Sequence, residues 1–157
     1  MSLQSPVSSD HQLARLLQIG VVLEEVVEAR AAKHAAEAPD IDDEVRAFLL
    51  EAAEESGEHR KRLEALVEQL DAETVPFDEV QTLVEQQYEA NQDFDGVLYD
   101  QLCNEETAYK FYDDLIEAIE ESDAQFSIER SHLVSELEAI REEEATGVEE
   151  VTKLMEE

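Results

Sequence analysis

The stretch "DAETVPFDEVQTLVEQQYEANQDFDG", residues 71–96, decides the fold, because its length sets how the helices on either side can pack. On its N-terminal side, Leu13, Leu16, Leu17, Leu23, Val27 and Ala31 recur at helical spacing. Val45, Phe48, Leu49, Ala52, His59, Leu63, Leu66 and Leu70 then do so again. A first helix over about 11–38 is expected to stop at Pro39. A second is expected to run to about 71, with Asp40 placed to cap it and Asp42 and Asp43 favourable in its first turn. On the C-terminal side, Leu98, Leu102, Ala108, Tyr112, Leu115 and Ile119 mark a third helix over about 97–121. "ESDAQ" (121–125) reads as a tight connection. A fourth helix follows through Leu133, Leu137, Ile140, Val148, Val151 and Leu154.

These lengths predict the topology. Helices 1 and 2 share a very short turn, as do helices 3 and 4, so each pair should be an antiparallel hairpin. The 71–96 stretch breaks the pattern at "DAETVPFDEV" and "NQDFDG" and holds a short helix at about 78–91. That is enough chain to run back along the bundle and make helices 2 and 3 parallel. An up-down-up-down bundle would need only a short loop there. The expectation is an all-α, ferritin-like four-helix bundle: two antiparallel hairpins joined by a long crossover with a short helix. Residues 1–9 read as a polar tail and 10–157 as a single domain.

Composition agrees with a helical core. The hydrophobic fraction is 43%, enough for a 157-residue chain to bury a core of its own, and 4 Gly with 3 Pro are too few for a turn-rich β-fold. The charge is extreme, with 42 acidic residues against 11 basic ones and a formal net charge of −31. Such a surface repels nucleic acid and anionic membranes. Three readings compete for it: a halophilic cytoplasm, a nucleic-acid mimic, and a cation store. The halophilic one is favoured, because the acid lies on the polar faces of amphipathic helices. Cys103 is alone, which excludes an intrachain disulfide and a CxxC pair. The first residues lack the apolar core of a signal peptide, and the run "IGVVL" (19–23) is too short to span a membrane, so a cytoplasmic location is expected. A Gly-rich phosphate loop, a nucleophile elbow and a basic stripe are all missing.

Chemistry, if present, should lie at mid-height, where bundles of this kind place inward Glu and His. Counting from the turn at 39–40, Glu24 is level with about residue 55 or 56. Glu55 and His59 flank that level. Counting from 122–123, Glu105 is level with about residue 140, and Glu144 lies one turn beyond. Glu24, Glu55, His59, Glu105 and Glu144 thus form one candidate metal layer. His59 could equally be a buried histidine bonded to Glu24 or Tyr109. Tyr109 and Tyr112 read as core aromatics, and Glu129 with His132 as a surface pair. His11 and His34 lie near helix ends without an evident role.

"AAEESGEHRKRL" (52–63) resembles the second-helix signature of rubrerythrin and related ferritin-like proteins, an E-x-x-H followed by a basic, leucine-bearing turn. "NEETAYKFYDDL" (104–115) resembles their third-helix pattern, a Glu four residues before Tyr in a run like A-Y-x-F-Y. The resemblance implies an iron site, diiron or mixed-metal, bridged by Glu, that reduces peroxide or oxidises iron. Manganese, zinc or no metal at all are the alternatives. It matches His59 to the ligand histidine, Glu105 to the third-helix Glu, and Glu24 to the first-helix Glu, with Glu25 one register away. Two positions depart from the pattern. Ser56 stands three residues before His59, where the ligand Glu belongs, and Glu55 is turned by about 100° from it. Gly147 stands three residues after Glu144, where a second histidine is expected. Without a CxxC pair, redox activity would need an external electron donor. The departures keep open a non-catalytic scaffold that acts through assembly or a partner. Apolar residues at the crossover (Val75, Phe77, Val80, Leu83) suggest a homodimer or larger homo-oligomer.

Overall fold

The computed structural model describes residues 7–73 and 96–156. They form four long helices: α1 (Asp10–Glu37), α2 (Asp43–Glu68), α3 (Val97–Glu120) and α4 (Arg130–Glu156). The short crossover helix expected at about 78–91 lies outside the described residues. No helix among those described is long and apolar enough to cross a membrane.

Each terminus has a local cause. Ser9 caps α1, its Oγ accepting from the Gln12 amide at 3.1 Å, and Asp10 adds charge at the positive end of the helix dipole. Pro39 forces Ala38 out of the helical region (ψ 126), so α1 ends at Glu37. Asp40 is not a cap: it takes a left-handed conformation (φ 58) that makes the turn, and Asp42 is the N-cap of α2. Gly96, at φ 105, turns the chain into α3 in a conformation that side chains resist.

The connection between α3 and α4 is longer than expected. "ESDAQ" does not close the hairpin alone, and α4 starts only at Arg130. The extra residues are held by tertiary bonds. Arg130 Nη1 donates to the Ile119 carbonyl at 2.6 Å, and Nη2 donates to the Ala124 carbonyl at 2.7 Å. Ile128 is buried, and the Ser122 hydroxyl donates to the carbonyl of Val7, itself buried.

Contacts between the pairs fix the directions. Along α1, Glu24 meets Tyr112 and Arg30 meets Asp100, so α3 runs antiparallel to α1. Along α2, His59 meets Glu144 and Arg62 meets Glu136, so α4 runs antiparallel to α2. Since α1 and α2 form a hairpin, α2 and α3 are parallel. Acid groups tie both ends. At one end Asp10 accepts from the amides of Asp71 (3.2 Å) and Ser127 (3.0 Å), joining the start of α1 to the end of α2 and the approach to α4. At the other, the buried Asp100 of α3 receives Arg30 and His34 of α1, the latter at 2.8 Å.

The core is in two parts. The larger apolar cluster includes Leu13, Leu17, Leu63, Leu66, Leu115, Ile119, Leu133, Leu137 and Ile140. The smaller gathers Ala35, Phe48, Leu49 and Val151 towards the other end. Burying each large side chain contributes about 1.5–3 kcal/mol, which is what holds the four stripes together. Between the two clusters every helix places polar residues inward: Glu24, Ser56 and His59, Gln101, Asn104 and Glu105, and Glu144. That buried polar layer lies at mid-height of the bundle.

A candidate metal centre at mid-height

Each helix supplies the layer at the step where its apolar stripe is interrupted. On α1 Glu24 falls between Val21 and Val27, fully buried. On α2 His59 takes the position between Ala52 and Leu63 and is 1% exposed. On α3 Gln101, Asn104 and Glu105 fill the gap before Ala108, and on α4 Glu144 follows Ile140 by one turn. The longer α3–α4 connection moves the hairpin midpoint to about residue 125, which puts Glu105 level with about 145 instead of 140. Glu105 and Glu144 are accordingly hydrogen-bonded to each other.

His59 is the hub. Its Nδ1 lies 2.9 Å from Glu144 Oε1 and 3.4 Å from Glu24 Oε1. Its Nε2 lies 2.5 Å from Glu143 Oε2 and 3.8 Å from Glu55 Oε1. The ring therefore separates two groups of donors. Glu24, His59 and Glu144 form an inner one, all buried, with ligand atoms within 4.8 Å of one another. Glu55, His59 and Glu143 form an outer one at the surface, within the same distance. Tyr112, buried in α3, donates its hydroxyl to Glu24 Oε1 at 2.6 Å. Gln101 Nε2 donates to Glu105 Oε1 at 2.8 Å. Among the described residues, Glu24 Oε2 and Gln101 Oε1 are buried with no hydrogen-bond partner.

The electrostatics follow from this crowding. Burial pushes Glu144 well above the usual carboxyl range, and the charge of Glu24 reinforces it. Glu105 is raised too, by burial, against the hydrogen bonds it receives from Glu144 and Gln101. Burial alone would lower His59, but the hydrogen bond and charge of Glu24, with those of Glu143, lift it to about 9. Burial also lifts Glu55 to about 7, partly offset by His59. Tyr112 is raised well above its ordinary value by burial and by Glu24, so it remains a donor. At neutral pH these shifts favour the proton on Glu144 and the charged form of the His59 imidazole.

The five sequence-derived residues do not all fall in one group. Glu24, His59, Glu105 and Glu144 are buried together. Glu55, one residue out of step, sits half-exposed on the far side of the imidazole, while Ser56 is the residue that is buried. Tyr109 is 38% exposed and takes no part, whereas Tyr112 does. His132 and Glu129 are exposed, and Glu129 accepts from the Ser131 hydroxyl. His34 has a partner after all, Asp100. Sequence reading missed Gln101, Asn104 and Glu143. The first two could have been found, since with Glu105 they share the helical face that joins Leu98 to Ala108. No protein-family model matches the chain, and no similarity to a curated protein or a solved structure was found.

The donor set of the layer fits a metal ion. One imidazole and several carboxylates, without thiolate, are the donors of a candidate divalent-cation site. An unpartnered buried carboxylate oxygen is costly, and a cation beside it would remove that cost.

Proposed function

We propose that this chain is a ferritin-like bundle that binds a divalent transition-metal ion in its polar layer, through Glu24, His59 and Glu144, with Glu105 beside them. The unpartnered Oε2 of Glu24 carries the reading: it is buried, and it belongs to the group whose ligand atoms converge. A neutral imidazole has one lone pair and one N–H. With Nδ1 given to the ion, Nε2–H donates to Glu143, the kind of outer hydrogen bond that fixes a ligand's ring. Glu55 and Glu143 then form the acidic rim through which a cation approaches. Bound iron or manganese would supply redox chemistry towards peroxide or dioxygen, and electrons would come from an external donor. The acidic surface fits a halophilic cytoplasm, and the apolar residues of the 71–96 stretch fit assembly into a homodimer or larger homo-oligomer.

Metal analysis of protein purified without chelator, together with Glu24→Gln, tests the reading. The wild type should carry iron, manganese or zinc, and Glu24→Gln, which keeps the shape but removes the charge, should lose it. Metal retained undiminished by Glu24→Gln would rule out the inner group.

One observation favours a second reading, a scaffold without metal. The Tyr112 bond to Glu24, the His59 contacts and the shared carboxyl protons already satisfy most of the layer. On that reading neither protein contains metal and both melt alike in its presence.

A further inference from the structure

Gly147 stands where the bundle would otherwise admit a side chain, and the space is not empty. A Cβ built on it would lie 2.5 Å from Glu105 Oε2, 2.7 Å from Cδ and 3.0 Å from Oε1. The whole carboxyl group of Glu105 therefore rests against the bare backbone of α4. The other helical glycines are looser: at Gly20 the nearest atom is 3.1 Å away and at Gly57 it is 3.4 Å away. Glycine is a poor helix former, and Gly147 sits inside α4. Its cost to the helix is accounted for by the approach of Glu105.

We infer that Gly147 is a positioning residue of the metal centre: by lacking a side chain it admits the Glu105 carboxylate into the layer beside Glu144. This rests on the metal reading above. Gln101 holds one oxygen of Glu105 at 2.8 Å, and Glu144 bonds the same carboxyl group. A methyl group at 147 would overlap the Glu105 carboxyl, so this flexible side chain must shift from the position in which both bonds hold it. The resulting site is rich in oxygen and has a single imidazole, which suits Mn2+.

The test is the Mn2+ affinity of the full chain, by calorimetry, for wild type, Gly147→Ala, Glu105→Ala and the double variant. Gly147→Ala and Glu105→Ala should each weaken binding by about tenfold or more, the loss typical of a displaced group at a metal site. The double variant should bind no more weakly than Glu105→Ala, because the two act through one carboxylate. In metal-free protein, adding Gly147→Ala to Glu105→Ala should raise the melting temperature, since alanine is the better helix former once the clash is gone. Wild-type affinity in Gly147→Ala, or two losses that multiply, would overturn the inference. If Gly147→Ala does not fold, the double variant must fold, and its failure would also overturn it. A wild type that takes up no Mn2+ sinks the metal reading itself, and this inference with it.

Discussion

His59 meets four carboxylates through its two ring nitrogens, yet it can give a metal only one lone pair. His59→Ala should abolish Mn2+ or Fe2+ binding and the metal-dependent rise in melting temperature. His132→Ala, at an exposed position near the start of α4, should change neither. Metal lost in His132→Ala and kept in His59→Ala would contradict the arrangement. The same residues set a pH dependence. His59 is held near 9, above its usual 6.5, so the stability it contributes is present below about 6.5 and is lost as pH rises through 9. Glu55, held near 7 against 4.5, keeps a proton that the unfolded chain has already released. Its contribution therefore falls as pH rises from 4.5 through 7, and the raised Glu105 and Glu144 act with the same sign. Metal-free protein should lose stability between about pH 5 and 9. Metal binding needs deprotonated ligands, so the increment from Mn2+ should grow over that range. Denaturation curves across it, with and without Mn2+, check both slopes, and a flat metal-free profile would contradict this account.

At the scale of the helices, much was legible in the sequence. The apolar stripes gave the four long helices because period 3.6 survives in each, and the length of 71–96 gave the parallel run of α2 and α3. Two local features were not. Asp40 is a chemically good cap, but the turn after Pro39 required a left-handed residue, and Asp40 tolerates it. "ESDAQFSIE" has neither Gly nor Pro to mark its true extent, and its fold depends on Arg130 reaching back to Ile119 and Ala124. That bond is tertiary and leaves no periodic trace. The register error it caused was about five residues on α4, enough to misplace the level of Glu105. Glu55 was ambiguous for a different reason: in a chain with 42 acidic residues, a carboxylate one position off a stripe looks like one on it. The Asp100 clamp, also unread, joins α1 to α3. Its side chain is 5% exposed and that of Arg30 is 20% exposed. Asp100→Ala should cost about 2–3 kcal/mol in chemical denaturation, below the usual range for breaking a buried pair because Arg30 can reach water. An unchanged midpoint would mean that the clamp contributes nothing.

For the whole molecule, the formal charge of −31 opposes the compact state. Exposed carboxylates within a screening length, roughly 10 Å at 0.1 M salt, repel one another. Helicity and melting temperature should therefore rise from low to molar KCl, and a melting temperature indifferent to KCl would remove the halophilic reading. The buried layer adds a local version of the same problem, because Glu24, Glu105 and Glu144 share one small space with a single imidazole. Protons relieve it in the metal-free protein, and a cation would relieve it better. The most direct measurement is the melting temperature of chelator-free protein in high salt at pH 8, loaded anaerobically with Mn2+ or Fe2+. At a hundredfold excess over Kd, mass action stabilises the fold by about 2.7 kcal/mol, or roughly 5–10 °C for a chain of this size. A rise of that order, with metal retained after desalting, is the result expected. An unchanged melting temperature with no retained metal would contradict the metal centre.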